Sequence, residues 1–227
     1  PDHVIRTKRF PLVLRLVLAQ DPAPQIAARL HDYRETYRAY VARQSARKTE
    51  RITPLDPPYA PDITEQFDRI MRGAPPLVLF RVMAGNARAW EKFRAGSLLD
   101  RGPLSLRERE IVIDRTCART GCQYEWGVHV TAFAEAAKLT DEQVRATVLG
   151  AATDACWSPA EQALIATVDA LHERATLSEA EFAALSAHYD EAKIFEIILL
   201  CGFYRTVSYL ANGLALPLEE KAARFPK

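Results

Sequence analysis

The chain has 227 residues, of which 48% are apolar. This apolar content is enough to bury a core and excludes a disordered chain. The formal net charge of +1 gives no chain-wide field that would attract nucleic acid or an anionic membrane. The longest unbroken apolar run, Ile197 to Tyr204, is far shorter than the roughly 20 residues that span a bilayer. We therefore expect a globular protein that binds neither nucleic acid nor a membrane.

The cysteine content indicates a reducing compartment. Four cysteines are too few for a disulfide scaffold in a chain of this length. No basic and apolar leader opens the sequence, so a cytoplasmic location is expected. A cysteine with a function would then act through thiol or redox chemistry.

The N-terminal part differs in charge from the rest of the chain. Up to Arg51 there are eleven Lys and Arg residues and five Asp and Glu residues, which leaves 19 basic and 24 acidic residues beyond it. Residues 23–48 carry apolar side chains at three- and four-residue steps, which predicts one long arginine-rich helix. Four prolines then follow within eight residues, and proline disfavours both helix interiors and central strands. Three segments are therefore predicted: a basic helical extension over 1–51, a Pro-rich linker over 52–62 and a helical domain over 63–227.

The apolar stripe of the predicted N-terminal helix is narrow. Such a helix is expected to lie on the main domain or on a neighbouring subunit. Contact of its basic face with nucleic acid or a membrane is the alternative.

Helix signals follow one another beyond the linker. Pro76 opens a predicted helix over 77–99. The last helix is predicted over 191–212, with one broad apolar face and Gly213 at its C-terminal end. No hairpin dipeptide and no sustained alternation of period two is present, so the predicted fold class is all-α. A capping-box pattern marks four further helix starts: Ser105, Thr140, Ser158 and Ser178.

The string from Gly121 to His129 places three chemically active side chains on one helix face. At about 100° per residue, Glu125 and His129 lie about 60° and about 20° from Cys122 around the helix axis. A carboxylate and an imidazole therefore face the same way as the thiol. Glu125 and His129 are also an i,i+4 pair, close enough for a hydrogen bond that would raise the imidazole pKa.

The residues on either side of Gly121 extend this group. If Gly121 separates two helices, Cys122 falls in the first turn of the second helix. The helix dipole and free N–H groups there are expected to lower the thiol pKa. On the preceding helix, Glu110 and Asp114 lie on the face that antiparallel packing would turn toward Cys122 and His129.

This combination resembles the carboxymuconolactone decarboxylase and alkylhydroperoxidase D superfamily. The resemblance rests on Glu110, on Cys122 twelve positions later and on His129 seven positions beyond that. The string Tyr204–Asn212 agrees, and the similarity covers residues 54–217. The resemblance implies a compact multi-helix bundle of the alkylhydroperoxidase D-like type. It also implies a small-molecule substrate and a homo-oligomer, either a trimer or a hexamer.

The two branches of the superfamily imply different chemistry. The hydroperoxidase branch uses a glutamate, a Cys-x-x-Cys pair and a histidine, and here Glu125 stands in place of the second cysteine. A carboxylate cannot close the disulfide of that cycle, although Cys117 could in principle take the role. The decarboxylase branch uses a glutamate and a histidine four residues apart, and this spacing matches Glu125 and His129.

We therefore expect acid/base chemistry on a small organic acid or lactone, without a metal or cofactor. His129 would donate or accept the proton and Glu125 would orient it. Glu110 would supply a second carboxylate and Cys122 an auxiliary donor. The alternative is a peroxiredoxin-like thiol hydroperoxidase, in which Cys122 attacks the hydroperoxide and an external thiol regenerates it.

Structural roles compete with these assignments. Cys122 could be a small buried residue at a helix junction, His129 a core histidine, and Glu110 part of a solvated charge run. A non-catalytic binding or stress protein on the same scaffold is the third functional class. Core packing is expected for the remaining cysteines: Cys117, Cys156 and Cys201. Family analogy suggests two pocket-lining residues on the last helix: Tyr204 and Asn212.

Overall fold

The computed structural model describes residues 51–227 and, upstream, Ala23, Ile26 and Leu30, each of which is helical. Residues 51–227 belong to one compact unit. No strand is present among the described residues, which confirms the all-α prediction. The helices are α1 (Pro61–Met71), α2 (Val78–Met83), α3 (Ala87–Ala95), α4 (Leu106–Arg119), α5 (Gln123–Phe133), α6 (Asp141–Leu149), α7 (Pro159–Arg174), α8 (Glu179–Ser186) and α9 (Glu191–Gly213).

Capping boxes begin four of these helices, as the sequence predicts. At the start of α4, the Ser105 side chain accepts a hydrogen bond from the Glu108 N–H, and the Glu108 side chain accepts one from the Ser105 N–H. The same reciprocal pair satisfies free N–H groups at the starts of α6, α7 and α8. Each box fixes where its helix begins, because two of the orphan backbone donors find partners only in this arrangement.

Helix α4 is the centre of the bundle. It packs against α5, α6, α7 and α9. Its Ile111, Val112 and Ile113 are completely buried, although side chains of consecutive helical residues point in three different directions. A helix with neighbours on several sides buries such a run, and this burial places the polar residues of α4 in the interior too.

The predicted helix over 77–99 is wrong, because the structure divides it into α2 and α3. The chain turns at Gly85, and the N–H of Asn86 donates to the Met83 carbonyl at 3.0 Å. The Asn86 side chain then accepts a hydrogen bond from the Ala89 N–H. An Asn side chain that accepts a hydrogen bond from the N–H group three residues further along the chain is a preferred helix start. The apolar periodicity continues through this break and hides it in the sequence.

Helix α9 is the long C-terminal helix predicted over 191–212. By length and composition it is apolar enough to cross a membrane, but its inner face forms part of the core. Ile198 is 40% exposed because it lies at the edge of the apolar stripe. The buried residues of α9 are Ile194, Ile197, Leu200, Cys201, Tyr204, Val207, Ser208 and Ala211.

The predicted N-terminal extension over 1–51 lies outside the described residues except for Ala23, Ile26, Leu30 and Arg51. Residues 52–60 form no helix. Pro61 occupies the first turn of α1, where a missing N–H group costs nothing. The three-segment division of the chain stays a prediction.

Candidate active site

The turn between α4 and α5 brings the predicted site residues together. Gly121 has a φ of +66°, a left-handed conformation that favours glycine. The N–H of Cys122 donates to the Cys117 carbonyl at 2.8 Å, and Cys122 is the residue that precedes α5. This tight reversal folds α5 back along α4, so that Glu110 meets His129.

His129 lies between two carboxyl groups. Its Nδ1 atom is 2.7 Å from Glu110 Oε2, within hydrogen-bond distance, and its Nε2 atom is 3.4 Å from Glu125 Oε1. All three side chains are buried. The sequence predicts Glu125 as the orienting partner, but the shorter contact comes from Glu110 on the neighbouring helix. The i,i+4 spacing supplies the second, looser contact.

These contacts keep His129 protonated. Burial by itself lowers the imidazole pKa, because it disfavours the charged form. The hydrogen bond and negative charge of Glu110, followed by those of Glu125, outweigh burial and raise the pKa of His129 to about 10. At neutral pH the ring is therefore an imidazolium, with one N–H held firmly by Glu110 and the other directed toward Glu125.

The prediction that the helix start lowers the thiol pKa of Cys122 is wrong. Cys122 is fully buried, and burial raises its pKa above the usual range. The N–H groups of Glu125 and Tyr124 stabilise the thiolate, as expected at a helix start. The nearby charge of Glu125 opposes that effect. No hydrogen bond joins Cys122 to His129 within residues 51–227.

Ser208 of α9 connects the two cysteines at this turn. Its hydroxyl lies beside both Cys117 and Cys122 and lowers the pKa of each thiol. The same hydroxyl donates to the Tyr204 carbonyl at 2.7 Å and accepts from Thr120 at 2.8 Å. Burial nevertheless raises the pKa of Cys117 well above its ordinary value. Both cysteines are therefore protonated thiols at neutral pH.

Helix α9 also provides an aromatic wall. The ring of Tyr204 meets the His129 ring edge to face, with 5.1 Å between the ring centroids. Arg109 reaches the site from α4, and its Nε lies 3.5 Å from Glu110 Oε1. Asn212 instead donates to the Thr120 carbonyl and is exposed. Tyr204 therefore contacts the His129 ring, whereas Asn212 lies on the surface.

The sequence pattern places Asp114 on the face of α4 that is turned toward the site, but no role was predicted for it. It is 1% exposed, and neither of its carboxyl oxygens has a hydrogen-bond partner among the described residues. Burial, together with the charge of Glu110, raises the pKa of Asp114 well above its usual range, and His129 opposes this only in part. The signal for such a role was an acidic residue that directly follows the apolar string 111–113 and lies one helical turn beyond Glu110.

Several polar atoms of the site have unused hydrogen-bonding capacity. Among the described residues, no hydrogen bond is made by Glu110 Oε1, Glu125 Oε2 or either oxygen of Asp114. Buried polar atoms are almost always paired in proteins, so these four oxygens retain the capacity to bind a polar group. No group of three or more His, Cys, Asp or Glu side chains in the described part of the chain is arranged to hold a metal ion.

The family model for the carboxymuconolactone decarboxylase family matches residues 84–169. This segment contains Glu110, Cys122, Glu125 and His129. Over this matched segment the chain carries the sequence pattern of the carboxymuconolactone decarboxylase-like and alkylhydroperoxidase D-like superfamily. A second family model, the second domain of class II aldolases, matches residues 1–63, most of which lie outside the described residues. No curated protein matches the sequence.

Several solved structures share the fold of the helical unit. An uncharacterized peroxidase-related protein from Ralstonia eutropha JMP134, described as an alkylhydroperoxidase AhpD core, has a TM-score of 0.67 at 18% identity, covering 76% of this chain and 94% of its own. A peroxidase-related protein from Silicibacter sp. TM1040 has a TM-score of 0.64 at 18% identity, with coverage of 74% and 89%. The debrominase Bmp8 has a TM-score of 0.58 at 19% identity, with coverage of 75% and 92%. At these identities the likeness is one of fold.

Proposed function

We propose that this protein is an enzyme that catalyses cofactor-independent acid/base chemistry on a small organic acid or lactone. The observation that carries the proposal is the buried His129 ring between the carboxyl groups of Glu110 and Glu125, which raise the pKa of the imidazole. Burying one histidine with two carboxylates is expensive unless the group has a task. A positioned proton donor beside a carboxylate is what proton transfer requires.

The two contacts of the imidazolium differ, and the difference assigns the roles. The Nδ1–H donates to Glu110 at 2.7 Å and stays there, fixing the ring. The Nε2–H faces Glu125 at 3.4 Å, which is too long to hold a proton tightly. The proton on Nε2 is therefore the mobile one, and Glu125 Oε2 is free to accept a hydrogen bond from the substrate.

A decarboxylation would proceed as follows. The substrate carboxylate leaves as carbon dioxide, and the electron pair of the broken C–C bond moves onto an adjacent carbonyl to form an enolate. His129 then gives its Nε2 proton to the carbon that lost the carboxylate, and the enolate returns to a carbonyl. Solvent reprotonates the neutral imidazole. Glu110 keeps its hydrogen bond to Nδ1 throughout and stabilises the ring in its charged form.

The names of similar structures support chemistry on small rings in this fold. A cysteine-to-alanine variant of the debrominase Bmp8 has been solved in complex with 2,3,4-tribromopyrrole. A compact ring of this size is comparable to a lactone. Glu125 and His129 add the proton-transfer pair that such a ring would need in this protein.

A thiol hydroperoxidase is the second candidate, and the peroxidase-related names of two similar structures favour it. Cys122 as thiolate would attack the hydroperoxide, forming a sulfenic acid and releasing an alcohol, and an external thiol would reduce the sulfenic acid. The raised pKa of Cys122 opposes this route, since the thiolate is the nucleophile.

Turnover of a panel of lactones and β-keto acids, followed by mass spectrometry of the products, tests the proposal. His129→Gln and Glu125→Gln should each lower turnover by about 100-fold or more, the usual scale of a lost acid or base. His188→Gln is the matched control, because His188 is exposed on the surface. Unchanged turnover in His129→Gln would contradict the proposal. Loss of peroxide consumption in Cys122→Ser would favour the second candidate.

We further propose that the protein is a cytoplasmic homo-oligomer, a trimer or a hexamer, that binds neither nucleic acid nor a membrane. The four cysteines of the chain are all free thiols, which suits a reducing compartment. The outer face of α9 exposes three large apolar side chains suited to a subunit interface: Phe195, Leu199 and Tyr209.

A further inference from the structure

Asp114 is a buried carboxyl group without a partner. It follows Glu110 by one helical turn on α4, which places it on the same face. It is 1% exposed, and neither oxygen makes a hydrogen bond within the described residues. No Lys or Arg forms an ion pair with it in this part of the chain. Buried acidic residues are normally paired.

The surroundings of Asp114 leave its carboxyl group neutral. The titratable groups that interact with it are Glu110 and Cys117 from α4 and His129 from α5. The negative charge of Glu110 disfavours a second carboxylate next to it, and burial has the same effect. A neutral carboxylic acid carries an O–H group. That group is a hydrogen-bond donor with no acceptor in the described part of the protein.

An unused buried donor costs on the order of 1–3 kcal/mol. Glu110 Oε1 and Glu125 Oε2 accept no hydrogen bond among the described residues, and Asp114 bonds to neither of them. The O–H group of Asp114 therefore forms no hydrogen bond with either glutamate. A ligand group that accepts a hydrogen bond would satisfy it.

We propose that the Asp114 carboxyl group binds the carbonyl oxygen of the substrate and donates a hydrogen bond that strengthens as this oxygen becomes an enolate. The inference rests on the proposed acid/base function and narrows its substrate to a carboxylic acid or lactone with a carbonyl group next to the carbon that is protonated.

Asp114 and His129 would have different roles in the reaction. When carbon dioxide leaves, the electron pair moves to the carbonyl oxygen, and the O–H of Asp114 stabilises that negative charge without transferring its proton. His129 supplies the proton that ends on carbon. Enzymes are known in which a carboxyl group in an apolar site stays neutral at pH 7 and donates a hydrogen bond to a developing oxyanion. Asp114 would stabilise the enolate in the same way.

Two substitutions separate the donor from the rest of the side chain. Asp114→Asn keeps the size and a neutral N–H donor, whereas Asp114→Leu keeps the bulk and removes the donor. 4-Nitrophenol is a suitable probe, because its phenolate imitates an enolate oxygen and its absorbance reports ionisation. We expect wild type and Asp114→Asn to bind it about tenfold more tightly than Asp114→Leu does, which is the effect of one hydrogen bond. Equal binding by all three proteins, or none by wild type, would overturn the proposal.

Infrared difference spectra test the protonation state without turnover. Wild type minus Asp114→Asn at pH 7 should show the carbonyl stretch of a protonated carboxylic acid. A carboxylate band in its place would overturn the proposal even if the protein is active. Loss of activity in His129→Gln together with equal probe binding by Asp114→Leu would leave the proposed function intact and reject only the role of Asp114.

Thermal unfolding gives an independent check that both variants fold. Because the pKa of Asp114 is raised in the folded state, ionisation costs stability as pH rises above the unfolded value of about 4. Asp114→Asn should therefore melt at a higher temperature than wild type at pH 8, and the two should converge near pH 4. A lower melting temperature for Asp114→Asn at pH 8 would indicate a paired carboxylate and contradict the inference.

Discussion

At the scale of single residues, Glu110 has the largest effect on the charge of His129. Its carboxylate holds His129 Nδ1 at 2.7 Å in the interior. The resulting pKa of about 10 for His129 exceeds the unfolded value of 6.5. The ion pair therefore contributes stability that is fully present below pH 6.5 and is lost as pH rises through about 10.

We predict that Glu110→Gln lowers the free energy of unfolding by about 3 kcal/mol at pH 7, because it leaves a buried imidazolium with one carboxylate fewer. Glu65→Gln is the control, since Glu65 pairs with Arg69 on the exposed surface of α1, and exposed pairs contribute little. Urea unfolding of both variants measures the difference. Equal stabilities would show that Glu110 does not hold the imidazolium.

Cys122 is expected to be an unreactive thiol in the folded protein. Its burial and raised pKa keep it protonated and inaccessible, whereas Cys156 is partly exposed. We predict that iodoacetamide labels Cys156 first and reaches Cys122 only in denaturant, as peptide mass spectrometry would show. Labelling of Cys122 at the rate of Cys156 or faster would favour the hydroperoxidase alternative.

The residue types of the site could be predicted from the sequence, but their partners could not. Periodicity placed Cys122, Glu125 and His129 on one helix face. The closer partner of His129 is Glu110, which lies on another helix, and its distance depends on the turn geometry at Gly121. The thiol pKa depends on burial from α9, which no local pattern reports.

At the level of elements, the C-terminal segment after α9 holds α5 in position. The Tyr124 hydroxyl donates to Glu219 at 2.6 Å and accepts from the Leu79 N–H at 3.0 Å. The Ala223 N–H donates to the Gly127 carbonyl at 3.2 Å. A Cβ atom at Gly127 would collide with the Ala223 carbonyl oxygen. Glycine therefore allows the segment to cross α5 at close range.

We predict that Gly127→Ala destabilises the protein by about 1–3 kcal/mol, the usual cost of overpacking, although alanine is the better helix former. Gly213→Ala is the matched control, because a Cβ atom there meets nothing within 4 Å. Thermal or urea unfolding of both variants compares them. A Gly127→Ala protein as stable as wild type would show that the crossing is loose.

Helix boundaries were predictable where side chains cap the backbone. The capping boxes at Ser105, Thr140, Ser158 and Ser178 are all present, because the signal and the structure are local. The break between α2 and α3 was not predicted. It follows from the turn at Gly85 and Asn86, which an uninterrupted apolar period conceals.

For the whole molecule, the outer face of α9 is the main exposed apolar surface we describe. Leu199 is 57% exposed and Phe195 68%. Grooves of about 520 and about 480 Å³ lie on either side of Gly202. A ridge flanked by grooves suits helix packing between subunits. Because α9 carries apolar residues on its exposed face as well as on its buried face, its composition resembles that of a membrane-spanning helix.

We predict that Leu199→Asp dissociates the proposed oligomer. Phe182→Asp is the control, because Phe182 is an exposed apolar residue on α8 and lies outside this face. Light scattering after size exclusion gives the mass of each variant. A monomeric wild type, or a Leu199→Asp protein of unchanged mass, would contradict the role of α9 in assembly.

The charge state of His129 is the most direct test of the central claim. Nitrogen-15 NMR of the imidazole, assigned with His129→Gln, reports whether one or both ring nitrogens carry a proton. We predict that both nitrogens remain protonated at pH 8 and that one proton is lost near pH 10. A neutral ring at pH 8, titrating near the ordinary histidine value of about 6.5, would contradict it.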